Sequence, residues 1–172
     1  MGIRETLNQN PAITTGATIG IIVIAIGFIV YQVWPQRIPQ ITEAYYTTDD
    51  SSQEAAMNAL FTDKITLNAP FDYKGKPAFR ANVFKSGKTR WIGWLERYNA
   101  TAKAKLDDAA NSKDPQAQMA VEDFRQSGLE VKRPGDKDWI KASQTAKFDQ
   151  IRGEINPPPG TNVETVEQEW PR

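Results

Sequence analysis

The chain has 172 residues, with 21 basic and 21 acidic side chains, no cysteine and no histidine. Those absences exclude disulfide staples, His or Cys metal sites, thiol nucleophiles and a Ser-His-Asp triad. G-x-G-x-x-G, P-loop and H-E-x-x-H patterns are missing too, which leaves carboxylate chemistry, lysine chemistry or a hard-cation site.

Residues 1–11 read as a short N-terminal tail, and residues 12–34 as a transmembrane helix. No charged side chain lies between Glu5 and Arg37, and residues 12–34 as a helix would be about 34 Å long, enough for a hydrocarbon core of about 30 Å. A cleaved signal peptide fits less well, because the apolar run is long and ends in the bulky Tyr31-Gln32-Val33-Trp34. Gly16 and Gly20 form a GxxxG step with Gly27 further along the same face, a spacing that lets a second helix approach closely in a homodimer or with a partner membrane helix. Phe28, Tyr31 and Trp34 resemble an interfacial aromatic belt against the lipid bilayer. Arg4 and the free amine against Arg37, which is followed by Glu43, Asp49 and Asp50, favour a cytoplasmic N-terminus. Cysteine-free composition favours a bacterium, so the expected location is the inner membrane, single-pass, with the C-terminal domain in the periplasm.

A connector over 35–43 leads to one domain over 44–152, since the roughly 135 residues after the span suffice for one core. Ala44 to Thr48 has strand composition, and Ser51 with Glu54 has capping-box spacing for a helix from Ser52 to Leu60. Thr62 to Leu67 is a further short strand, and Asn68 to Pro77 a loop. Phe79 to Phe84, an interruption at Ser86-Gly87-Lys88, and Trp91 to Tyr98 predict a β-hairpin with apolar side chains on both faces. Helices follow over Ala100 to Ala110 and from Asp114 to Gly128, with Pro115 in the first turn of the second. Leu129 to Lys132 and the segment around Trp139 and Ile140 make a second, short hairpin, and Ser143 caps a last helix reaching Ile151. Residues 153–172, with Pro157-Pro158-Pro159-Gly160, read as an extended acidic tail. The expected fold class is α+β: one N-terminal transmembrane helix followed by a small domain of β-hairpins with short helices.

The pattern Tyr45-Tyr46-Thr47-Thr48-Asp49-Asp50, Pro70-Phe71-Asp72 with Gly75-Lys76, Leu95-Glu96-Arg97-Tyr98 and Val131-Lys132-Arg133-Pro134-Gly135-Asp136 resembles uncharacterised single-pass membrane proteins of planctomycete-type bacteria. Asn8-x-Asn10-Pro11 is similar as well, whereas Ser51 to Ala59 departs from the pattern as an insertion. The resemblance implies no activity and no functional residues.

Candidate chemistry is sparse. Asp49-Asp50 with Ser51 and Ser52, and Asp136 with Asp138, offer oxygen ligands but lack calcium-loop spacing, and read as strand-ending and turn residues. Glu96 reads as a paired strand charge in preference to a lone general acid. No catalytic residue, cofactor or metal ligand is assigned. Charge is uneven, however: residues 73–106 carry nine basic side chains against the single acid Glu96. Lys85, Lys88, Arg90 and Arg97 are the candidates for an anionic partner. Anionic lipid suits them better than nucleic acid, and the bland alternative buries the aromatic rings and pairs the cations with the acidic helices and tail. The expected function is a membrane-anchored binding or scaffolding protein, an accessory subunit of a membrane or periplasmic protein complex. The alternatives are a membrane-tethered enzyme using carboxylate or lysine chemistry, or a binder of anionic lipid or nucleic acid through 73–106.

Overall fold

Strand-forming residues from Lys76 to Tyr98, apolar on both faces, build the centre of the fold. The computed structural model describes residues 11–33, 40–112, 116 and 119–171. Strands β4 (Lys76–Ser86) and β5 (Thr89–Tyr98) pair antiparallel from Arg80↔Glu96 to Ser86↔Thr89, with a register shift between Asn82 and Val83. Gly93 stands opposite that shift. A Cβ there would come within 2.7 Å of the Phe84 ring, so the close approach of ring to backbone requires glycine.

Both faces of this hairpin are buried, as its sequence implies. Phe79, Ala81, Val83, Ile92 and Leu95 form one cluster, joined by Ala56. Phe84, Trp91 and Trp94 form another with Val131, Phe148 and Ile151. Burying a large apolar side chain stabilises by about 1.5–3 kcal/mol, and an element covered on two sides has no polar face to alternate with.

The other strands flank this pair. β1 (Glu43–Thr47), β2 (Leu60–Lys64), β6 (Leu129–Lys132) and β7 (Ile140–Lys141) complete the order β2-β1-β4-β5-β6-β7. β3 (Phe71–Tyr73) and β8 (Glu167–Gln168) both pair with β4, all pairings being antiparallel. The architecture is therefore a mostly antiparallel sheet with a few helices.

The chain divides into two compact units, Met1–Gln40 and Ile41–Arg172. The first contains helix α1, Pro11–Val33. Among the described residues no helix is long and apolar enough to cross a membrane. That finding corrects the expected transmembrane helix at 12–34, and with it the single-pass, bitopic description and the inner-membrane location with a periplasmic domain. A Cβ at Gly16, Gly20 or Gly27 meets nothing within 4 Å, so no described side chain packs closely against those glycines. Phe28 is exposed. The Tyr31 side chain, Trp34, the tail 1–10 and residues 34–39 of the connector lie outside the described residues.

In the second unit, α2 (Gln53–Asn58) is capped by the Ser52 hydroxyl, which accepts from the Ala55 amide at 3.1 Å. The expected cap, Ser51, instead donates from its amide and hydroxyl to Asp49 Oδ1. Helix α3 (Ala100–Asn111) has the Asn99 side chain as its cap. Helix α4 (Glu122–Ser127) ends at Gly128, while Asp114 and Pro115, the expected start of this helical region, lie outside the described residues. Helix α5 (Thr145–Gly153) starts beyond Ser143, without a side-chain cap bond. The segment after α5 contains a 3-10 turn over Val163–Thr165 and then β8, so its end is part of the sheet.

Candidate functional site

The end of the hairpin away from its turn meets the loop 65–70, and buried aromatic packing holds that loop in place. Tyr46, fully buried on β1, sets its ring 5.0 Å from Phe71 and donates its hydroxyl to the Lys64 carbonyl at 2.9 Å. The Tyr98 amide donates to the Ala69 carbonyl at 2.7 Å, and Asn68 Nδ2 donates to Asp107 on α3 at 3.0 Å. The loop is thus tied to β1, to β5 and to α3.

Helices α3 and α4 approach the same end. Leu106, Ala109 and Val121 form a small cluster against Tyr98. Gly128 permits the approach: a Cβ there would lie 2.0 Å from Ala102 Cβ and 2.7 Å from the Phe124 carbonyl oxygen. No larger side chain fits between α3 and the end of α4.

Between loop and helices lies a pocket of about 60 Å³ whose walls include Asn68, Arg80, Glu96, Arg97, Tyr98 and Arg125. Its walls Thr66, Leu67, Asn68 and Arg125 are shared with a wider, open groove of about 700 Å³ beside α3. Three arginines and one glutamate therefore line the pocket, although Glu96 and Arg97, adjacent on β5, point to opposite faces of the sheet. The arginines differ in what engages them. Arg97 Nε donates to the buried Glu130 carboxylate at 2.8 Å, and its guanidinium lies 4.3 Å from the Trp139 ring centroid. Arg125 has an exposed contact with Glu122 at 3.4 Å, one turn away on its own helix, and its guanidinium also interacts with the Tyr98 hydroxyl. Part-buried Arg80 stands opposite Glu96 in the β4–β5 register, has no ion pair or hydrogen bond among the described residues, and acts on Tyr46 and Tyr98 through its charge.

Burial pushes the Tyr46 phenol up to about 12, against the pull of Arg80. Burial also raises Tyr98, with Arg125 pulling it down and Glu96 adding to the rise. Both phenols are therefore neutral near pH 7 and can donate as well as accept hydrogen bonds. Glu96 already accepts from Trp94 Nε1 at 2.8 Å. An oxyanion of carboxylate or phosphate size matches this pocket, because guanidinium groups present forked donors to such groups.

The candidates for an anionic partner are mostly engaged elsewhere. Lys85 pairs with Glu167 at 3.1 Å, Arg90 with Glu169 at 2.6 Å and Arg97 with Glu130, while Lys88 is exposed in the hairpin turn. Trp91 and Trp94 are buried, so neither ring face is available for stacking on a base. The carboxylates do not converge either. Asp49 is held by Ser51, which keeps its carboxyl below the usual carboxylate range. Asp50 pairs with the buried Lys132 at 2.6 Å, and Asp136 closes a turn with the Arg133 amide. Among the described residues no group of three or more His, Cys, Asp or Glu side chains could hold a metal ion.

Arg80 and Arg125 had no individual signal in the sequence. Arg80 is one of nine cations in its segment, and Arg125 lies 45 positions further along; only packing of α4 onto the end of the hairpin puts them on one pocket. No family model, curated protein or solved structure matches the chain.

Proposed function

We propose that the Ile41–Arg172 unit is a binding module of a larger assembly, and that it engages its partner through a carboxylate or phosphate group at Arg80, Tyr98 and Arg125. The observation that carries this reading is part-buried Arg80, which lines a concave site and has no ion pair among the described residues. Glu96, opposite Arg80 in the ladder, supplies one negative charge against Arg80 and Arg125, so these three side chains leave a net positive charge that favours an incoming anion. Asn68 and the neutral Tyr98 hydroxyl add polar groups that orient such a ligand, as expected of a specific pocket. The dispersal of Asp49, Asp50 and Glu96 among separate partners makes binding a better reading than carboxylate catalysis.

Titrating the protein with acetate and separately with inorganic phosphate, followed by NMR, tests the reading. Saturable shifts should gather at Arg80, Tyr98 and Arg125, with the stronger anion revealing which oxyanion the partner carries. They should vanish in the R80Q/R125Q variant. Shifts scattered over the exposed lysines, or unchanged in that variant, overturn it.

A further inference from the structure

At the turn end of the same hairpin, the outer edge of β4 is completed by the chain's own C-terminal segment. Only two residues make the strand pairing, Gln168 opposite Phe84 and Glu167 opposite Lys85, and the Glu169 amide adds a bond to the Val83 carbonyl at 2.9 Å. Charge selects what lies there. Glu167 reaches Lys85 at 3.1 Å, and Glu169 reaches Arg90 at 2.6 Å and receives the Tyr45 hydroxyl at 3.5 Å. Between them the Gln168 side chain donates to Asn82 Oδ1 at 3.3 Å on the opposite face.

We propose that this edge of β4 is a strand-accepting site for an extended acidic peptide of a partner protein, with carboxylates two residues apart, and that Glu167–Glu169 is its in-chain occupant. Backbone pairing at a sheet edge supplies affinity without sequence preference, and side chains at alternate positions supply selectivity. Lys85 and Arg90, neighbours across the β4–β5 ladder, provide that selectivity for carboxylates at positions i and i+2. The in-chain occupant is held in a way that permits exchange. Its Lys85–Glu167 pair is solvent-accessible, with the Glu167 side chain 67% exposed, and such a pair contributes little net stability; the Glu169 side chain, 21% exposed, is the firmer hold. Its attachment through Pro157-Pro158-Pro159-Gly160 gives it the advantage of high effective concentration, which a longer partner strand offsets by forming ladder bonds beyond the two residues of β8. The segment therefore guards the edge against unselective strand pairing while leaving it open to a matched partner.

The test uses the full chain and a fluorescent peptide with the sequence of Thr165–Trp170. The double variant E167K/E169K, whose own segment is repelled by Lys85 and Arg90, should bind the peptide at least tenfold more tightly than the unaltered chain. Raising the salt concentration should weaken that binding, as should a peptide with glutamine in place of both glutamates. Adding K85E/R90E to the variant should abolish it. Equal binding by the variant and the unaltered chain overturns the proposal, and so does binding that survives K85E/R90E. An E167K/E169K chain that fails to fold also overturns it, since the segment would then be a required strand; E167Q/E169Q, with no repulsion, should in every case fold and bind the peptide more tightly than the unaltered chain.

Discussion

The two ends of the central hairpin are both cationic in sequence yet differ in the folded chain. At the turn end, Lys85 and Arg90 receive carboxylates from residues 167 and 169, about eighty positions away. At the open end, Arg97 is neutralised by Glu130 but Arg80 is not neutralised among the described residues. One end has its anions brought by a distant segment of the chain, and the other lines a pocket with Arg80, Arg125 and Glu96. A run of like charge along a chain therefore says little about a binding surface until the partners folded against it are known.

The largest expected effect is at the turn end. Trp91 is 2% exposed, and its Nε1 donates to the Ile155 carbonyl at 3.0 Å, so Trp91→Ala removes both a core ring and the clip that starts the C-terminal segment. Unfolding by urea should show a loss of about 3–5 kcal/mol. A loss under 1 kcal/mol would mean that the turn end is not organised around this ring.

At the open end, alkaline titration comes next. The folded-state pKa of Tyr46 is raised from 10.0 to about 12, so the folded chain holds a proton that the unfolded chain releases. Its contribution is complete below pH 10 and is lost as pH rises toward about 12. At about 1.4 kcal/mol per pH unit, this is on the order of 2–3 kcal/mol. Stability measured across that window should fall along with the appearance of phenolate absorbance, and a flat profile would show that Tyr46 is not buried beside the loop 65–70.

Gly128→Ala should cost about 1–3 kcal/mol through overpacking, because the new methyl group meets Ala102 and the Phe124 carbonyl. Its signature is regional: amide exchange should accelerate in α3 and α4 while the residues around Trp91 keep their protection. Uniform acceleration would remove the distinction between the two ends. The smallest effect belongs to Glu169→Gln, which weakens a part-exposed surface ion pair and should change stability by about 1 kcal/mol or less. A larger change in the urea midpoint would show that the C-terminal segment stabilises the turn end far more than exposed pairs ordinarily do.

Much of the fold was legible where local pattern and burial agree. Phe79 to Tyr98 predicted the hairpin and its two apolar faces because alternation with a mixed second face has few other solutions. The helix expected over Ala100 to Ala110 matches α3, and the structure shows Asn99 as its cap. Ser51 and Ser143 misled for a common reason: several neighbouring residues can cap a helix, and tertiary position decides which does so. The apolar run at 12–34 led to a transmembrane expectation that the described residues do not support. The C-terminal segment read as an extended tail because a two-residue strand has no periodicity to detect. The pocket was illegible for a different reason, since its walls come from β4, β5, α4 and the loop 65–70, and no local rule links them.

By itself, the sequence determined which chemistries are absent and where the central strands run, because residue type and period 2 alternation act over a few positions. Tertiary structure alone decided which cations find an anion. Whether Arg80 or Arg90 is neutralised depends on residues brought from distant parts of the chain, and electrostatic pairing depends on distance in space, to which sequence separation is no guide.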